Sequence, residues 1–162
     1  MKLICSLLLA LAMTTRFAYA DDALQATLEA HKVTRQTDGK EALAPAGEAQ
    51  PGDVVEYRSI YRNVSAKTLT KVAATLPIPA GFEYIENTAT ARALASTDGK
   101  SFAPVPLMRV VKTAQGKNEM RPVPAAEYRY LRWSLGDMRA GTTSTVVARV
   151  RMSSGPVQAA DR

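Results

Sequence analysis

Between about residue 53 and residue 152, four stretches of the chain alternate apolar and polar side chains with a period of two. In 53–63, Val55, Tyr57, Ser59 and Tyr61 share one face and Glu56, Arg58, Ile60 and Arg62 the other, with Ile60 the apolar exception on the wet side. In 68–76, Val72, Ala74 and Leu76 oppose Lys71, Ala73 and Thr75. In 128–135, Leu131, Trp133 and Leu135 oppose Tyr130, Arg132 and Ser134. In 145–152, Val146, Ala148, Val150 and Met152 oppose Val147, Arg149 and Arg151. This alternation is that of half-buried antiparallel strands, one face on a core and one in water. It predicts that Val55, Tyr57 and Tyr61 pack against Leu131, Trp133 and Val150, with Trp133 as a core anchor.

Turn signals cut the pattern into short pieces. Pro51-Gly52 precedes the first clear strand, and Pro77 and Pro79 end the second, since neither can donate to a ladder. Ala80-Gly81 leads into a short strand over 82–85. Asp98-Gly99 predicts a hairpin within 90–105, its arms ARALAS and KSFAPV. Residues 107–112 form another candidate strand. Residues 113–127, with Gln115-Gly116, Pro122 and Pro124, read as a polar excursion that returns in extended form. Residues 23–34 fit a strand and, more loosely, a helical stripe; the all-β remainder favours a first strand. Residues 41–52 read as a connecting loop. About seven to eight antiparallel strands and no long helix predict an all-β, immunoglobulin-like β-sandwich.

The N-terminus is of another kind. Lys2, an apolar run from Leu3 to Met13 and Ala18-Tyr19-Ala20 have the order and size of a signal peptide over 1–20. Cleavage after Ala20 removes Cys5, Lys2 and Arg16. It leaves 142 residues with 19 basic and 15 acidic side chains, a charge of +4. The sequence therefore predicts an exported protein, periplasmic or extracellular, with no disulfide and no membrane span after cleavage. Residues 21–50 read as an N-terminal strand and linker, 51–152 as the sandwich domain and 153–162 as a flexible tail.

Candidate chemistry is sparse. His31 is the single histidine, and no serine lies in a G-x-S-x-G elbow. No His/Asp/Glu grouping has metal-ligand spacing, and no phosphate-binding glycine loop is present. Glu83 and Glu86 read as solvated, not as a glycosidase pair. Asn87 and Asn118 lie in or near loops, and no lysine–asparagine crosslink can be assembled from the pattern. Interspersed charges argue against nucleic acid. One set stands out: Arg58, Arg62, Arg132, Arg149 and Arg151 all fall on outward faces. On neighbouring strands they would make a basic stripe facing an anionic glycan, lipid headgroup or acidic partner. The plainer reading is a charged, solvated sheet face.

The runs PGDVVEYRSIYRN, LPIPAGFEY, STDGKSF and LRWSLGDMRAGTTSTVVARVRM together resemble the DUF11 conserved-repeat family of exported bacterial domains. Gly52, Asp53, Tyr57, Asn63, Leu76, Pro77, Gly81, Trp133, Leu135, Gly136, Ala140 and Gly141 follow that pattern in order over 51–152. Ile78-Pro79 and residues 107–127 depart from it. The resemblance implies an immunoglobulin-like sandwich serving as a cell-surface or secreted module, without a known reaction. The expectation is thus a non-enzymatic structural or protein-interaction module of the bacterial cell envelope, without cofactor. Its partner would be another envelope protein or a surface polymer. The alternative is a polysaccharide- or envelope-lipid-binding module using the arginine face.

Overall fold

The computed structural model describes residues 23–47, 49–90 and 92–153. The signal-peptide segment 1–20, with Cys5, and the tail beyond Ser153 lie outside the described residues. Among the described residues the chain forms eleven β-strands and one short 3-10 turn. They are β1 (Leu24–Arg35), β2 (Glu41–Pro45), β3 (Val54–Asn63), β4 (Leu69–Pro77), β5 (Phe82–Tyr84) and β6 (Leu94–Ser96). There follow β7 (Ala103–Pro104), β8 (Met108–Lys112), β9 (Asn118–Pro122), the 3-10 turn Ala125–Glu127, β10 (Tyr130–Met138) and β11 (Thr143–Met152). A five-stranded sheet runs β2-β1-β3-β11-β5 and a four-stranded sheet β4-β10-β6-β7, every pairing antiparallel. The fold is the all-β, immunoglobulin-like sandwich that the alternation predicts, with eleven strands among the described residues against the about seven to eight expected. β8 and β9 pair only with each other.

The faces are set by the sequence pattern. Val55, Tyr61, Ala74, Leu76, Leu131, Trp133, Val146, Ala148 and Val150 are buried between the sheets, with Tyr57 half-buried beside them. Each large apolar side chain withdrawn from water in this way contributes about 1.5–3 kcal/mol. Tyr84 and Tyr128 stack at 6.1 Å between ring centroids. Asn63 is fully buried and polar, and its amide donates to the carbonyls of Lys67 at 2.7 Å and Met138 at 2.8 Å. Its carbonyl accepts from the backbone N–H and the hydroxyl of Ser65. No hydrogen-bonding atom of this side chain goes unused, which makes its burial tolerable.

Several local expectations are corrected. Residues 41–45, read as loop, form β2, because Asp38-Gly39 reverses the chain and Gly39 takes φ +84. The first strand expected over 23–34 is β1; it pairs along nine residues of β3, so the five-stranded sheet takes in the segment before residue 51. The hairpin at Asp98-Gly99 is not a two-residue turn. The Asp98 carboxylate collects the N–H groups of Lys100 and Ser101 and the Ser96 hydroxyl, which opens the turn into a wider loop between β6 and β7. Residues 118–122, inside the polar excursion, are β9.

Two compensating irregularities shape the β4–β10 pair. Leu135 is an extra residue on β10, and Thr70–Lys71 supply the extra residue on β4 two positions later, restoring the register. Lys71 takes a left-handed φ of +54, and its N–H is held by the Asp137 carboxylate at 3.0 Å. Beyond β5, residues 85–90 continue beside β11. Ile85 and Thr90 donate backbone N–H groups to Arg149 and Val147, and the hydroxyls of Thr88 and Thr90 accept from the same two residues. This edge of the five-stranded sheet is therefore occupied.

Candidate functional site

Pairing register decides which of the outward arginines meet. β3 and β11 are neighbours, with Arg58 opposite Val147, Arg62 opposite Thr143 and Arg149 opposite Glu56. Arg58, Arg62, Arg149 and Arg151 thus share the outer face of the five-stranded sheet. Arg132 does not join them. It lies on the four-stranded sheet, its guanidinium 3.6 Å over the Phe102 ring and its Nε donating to the Thr75 hydroxyl.

On the shared face the register places carboxylates among the cations. Glu56 is 6% exposed and receives Arg149 Nε at 3.0 Å and Arg58 Nη2 at 3.2 Å. Arg149 Nη1 reaches Glu41 at 2.8 Å, so the ion pairs link Glu41, Arg149, Glu56 and Arg58 in alternating sign. The hydrogen bond to Glu41 is the largest influence raising the Arg149 pKa. Arg151 stands 3.8 Å from Glu83. A stripe of this composition largely cancels itself, and its field on an incoming polyanion is weak compared with that of the same arginines unpaired.

A cleft of about 320 Å³ lies at one end of this face, over Val33, Val54 and Ile85 and rimmed by Arg35, Arg149, Arg151 and Glu41. His31 lies on the same face as the register partner of Glu56 and Pro45, its Nδ1 buried without a hydrogen-bond partner. Among the described residues no group of three or more His, Cys, Asp or Glu is placed to hold a metal ion, and no helix is long and apolar enough to cross a membrane.

A second surface was missed by pattern reading. β8 and β9 form a two-stranded arm outside both sheets. Its root is fixed in the core: Leu107 and Val123 are buried, Val123 N–H donates to the Leu107 carbonyl, and Leu107 N–H donates to the Tyr128 hydroxyl at 2.9 Å. The Arg109–Glu127 ion pair braces one face of the arm. On the other face the register aligns Met108 with Pro122 and Val110 with Met120. Met108 is 47% exposed, Val110 60% and Met120 59%. The signal was present as the alternation Met108-Val110 and Met120-Pro122 on either side of Gln115-Gly116. The polar composition of 113–119 concealed it.

Comparison of the chain with family models, with curated proteins and with solved structures returns no match.

Proposed function

We propose that the chain is a non-enzymatic exported module of the bacterial cell envelope, of the DUF11-like kind, that engages another envelope protein. The observation that carries this reading is the β8–β9 arm. An isolated two-stranded ribbon is marginal in water, and this one keeps an apolar face exposed while its root is locked to Tyr128. Large apolar groups held out in this way favour a contact surface. The signal-peptide pattern over 1–20 supports export to the periplasm or the cell exterior. The alternative, binding of polysaccharide or envelope lipid by the arginine face, draws its support from Arg62 and Arg151, whose side chains are exposed; the cancelling ion pairs beside them weigh against it.

The test is a photo-crosslinking amino acid placed at Val110 in cells that make the protein, with Thr97 as control. A discrete adduct specific to position 110 and identified as an envelope protein is the expected result. Absence of any position-specific adduct overturns the reading. Retention on a sulfated glycan that is lost on Arg62→Glu plus Arg151→Glu would transfer support to the alternative.

A further inference from the structure

The backbone of the arm specifies more than an apolar contact. Val123 N–H bonds the Leu107 carbonyl at the root, and Thr113 N–H bonds the Lys117 carbonyl at the turn. In an antiparallel ladder hydrogen-bonded pairs recur every second residue. Hence Arg109/Arg121 and Val111/Glu119 are the bonded pairs, and Met108, Val110 and Lys112 direct their N–H and C=O groups away from β9. The residues that present the apolar side chains are therefore also those with outward backbone groups. On β9 the corresponding edge is interrupted by Pro122, which has no N–H to offer. The β8 edge is the competent one.

Charge narrows the occupant. Between Leu107 and Val123 the arm carries Arg109, Lys112, Lys117 and Arg121 against Glu119 alone. Arg109 is paired with Glu127 and Arg121 with Glu119, while Lys112 and Lys117, near the tip, have no ion-pair partner among the described residues. A second copy of the arm carries the same positive excess, and its one carboxylate, Glu119, is already paired with Arg121, so it brings nothing to neutralise Lys112 and Lys117. A segment with carboxylates flanking alternate apolar residues fits instead.

We propose that β8 takes up an extended, acid-flanked apolar segment of a partner protein by strand addition, the segment bonding Met108, Val110 and Lys112 and covering Met108, Val110 and Met120. This is the strand-addition mode of peptide recognition, in which main-chain bonds give affinity and alternate side chains give specificity. It rests on the reading of the chain as a protein-interaction module.

The probe is the fluorescent peptide Glu-Val-Thr-Val-Thr-Val-Glu, titrated with the full chain and followed by anisotropy. Two variants of it replace the flanking Glu by Lys, or the central Val by Pro. The acid-flanked peptide is expected to bind about tenfold more tightly than either. Val110→Pro removes one outward N–H and no bond of the hairpin ladder, and lowers affinity about tenfold, whereas Val110→Thr keeps it within about threefold. Lys112→Glu plus Lys117→Glu, which leaves the backbone untouched, reverses the preference between the Glu- and Lys-flanked peptides. Three results overturn the proposal: no saturable binding up to about 1 mM, equal binding of the Pro-interrupted peptide, or self-association of the chain that Val110→Pro abolishes. An envelope-protein adduct at Val110 together with a failed peptide titration removes strand addition alone; no adduct removes the interaction reading itself.

Discussion

The Asn63 amide at the end of β3 donates to the carbonyl of Met138 at the end of β10, joining the two sheets by one hydrogen bond at 2.8 Å. The same amide caps Lys67 in the intervening loop. Replacing Asn63 by Ala takes its side-chain partner from the Met138 carbonyl and from the Ser65 N–H at a fully buried position. The expected loss is about 2–3 kcal/mol, read as a lower denaturant midpoint with an unchanged slope. Asn63→Asp should be nearly as costly, since a carboxylate cannot donate to either carbonyl.

Arg149 holds two carboxylates in unequal surroundings. Glu56 is almost wholly buried, while the Glu41 side chain is 47% exposed. Although the hydrogen bond to Glu41 is the larger influence on the Arg149 pKa, that pair is open to water and is screened more than the pair with Glu56. Double-mutant cycles should give a coupling of about 1–2 kcal/mol for Arg149 with Glu56 and below about 0.5 kcal/mol for Arg149 with Glu41. Equal couplings would show that burial does not rank the two.

Gly99 sits at φ +73, and a Cβ there would meet the Tyr130 ring at 2.8 Å. Gly99→Ala should therefore lower stability by about 1–2 kcal/mol. Gly116→Ala, equally left-handed at φ +78 but in open space, should cost only the backbone part. Thermal midpoints of the two variants separate contact from conformation.

Two carboxylates make folding sensitive to acid. Asp53 is held below the ordinary value of 3.8 by its hydrogen bond with the Lys32 ammonium and then by the Gln50 N–H. Asp98 is held below it by the N–H groups of Ser101 and Lys100 and by the Ser96 hydroxyl. A carboxyl whose folded pKa is depressed stabilises the fold above its unfolded value, and that contribution is lost as pH falls through the folded value. The thermal midpoint should hold steady above about pH 5 and drop below about pH 4. Asp98→Ala should lower the plateau and flatten the acid limb; an unaltered acid limb would remove Asp98 from this role.

What could be read from the chain followed from how each residue is positioned. Val55, Tyr61, Leu131, Trp133 and Val150 are where period-two alternation puts them, because each lies on a strand with one dry face. β2 escaped notice because Ala42 and Ala44 give no contrast against the Pro- and Gly-rich run around them. The arginine face was legible by parity within each strand. Whether the arginines meet depends on which strands pair, and pairing is long-range. Arg132 is separated from Arg149 by sheet membership alone, and the neutralising role of Glu56 required its register with Arg149. The arm was hidden because its apolar residues face water, contrary to the rule by which a core is recognised.

The left-handed Lys71 has a bearing on solubility. β4 is the outermost strand of its sheet, a nine-residue edge of the sort on which foreign chains stack into fibrils. Lys71 and the paired offset at Leu135 kink that edge and set an ammonium group on it, so a straight strand cannot run its length. The proposed strand addition at β8 requires that the other sheet borders stay uninviting. Removing the ammonium with Lys71→Asn, a residue that tolerates the left-handed backbone, should be visible as turbidity in concentrated solution with little change in folding.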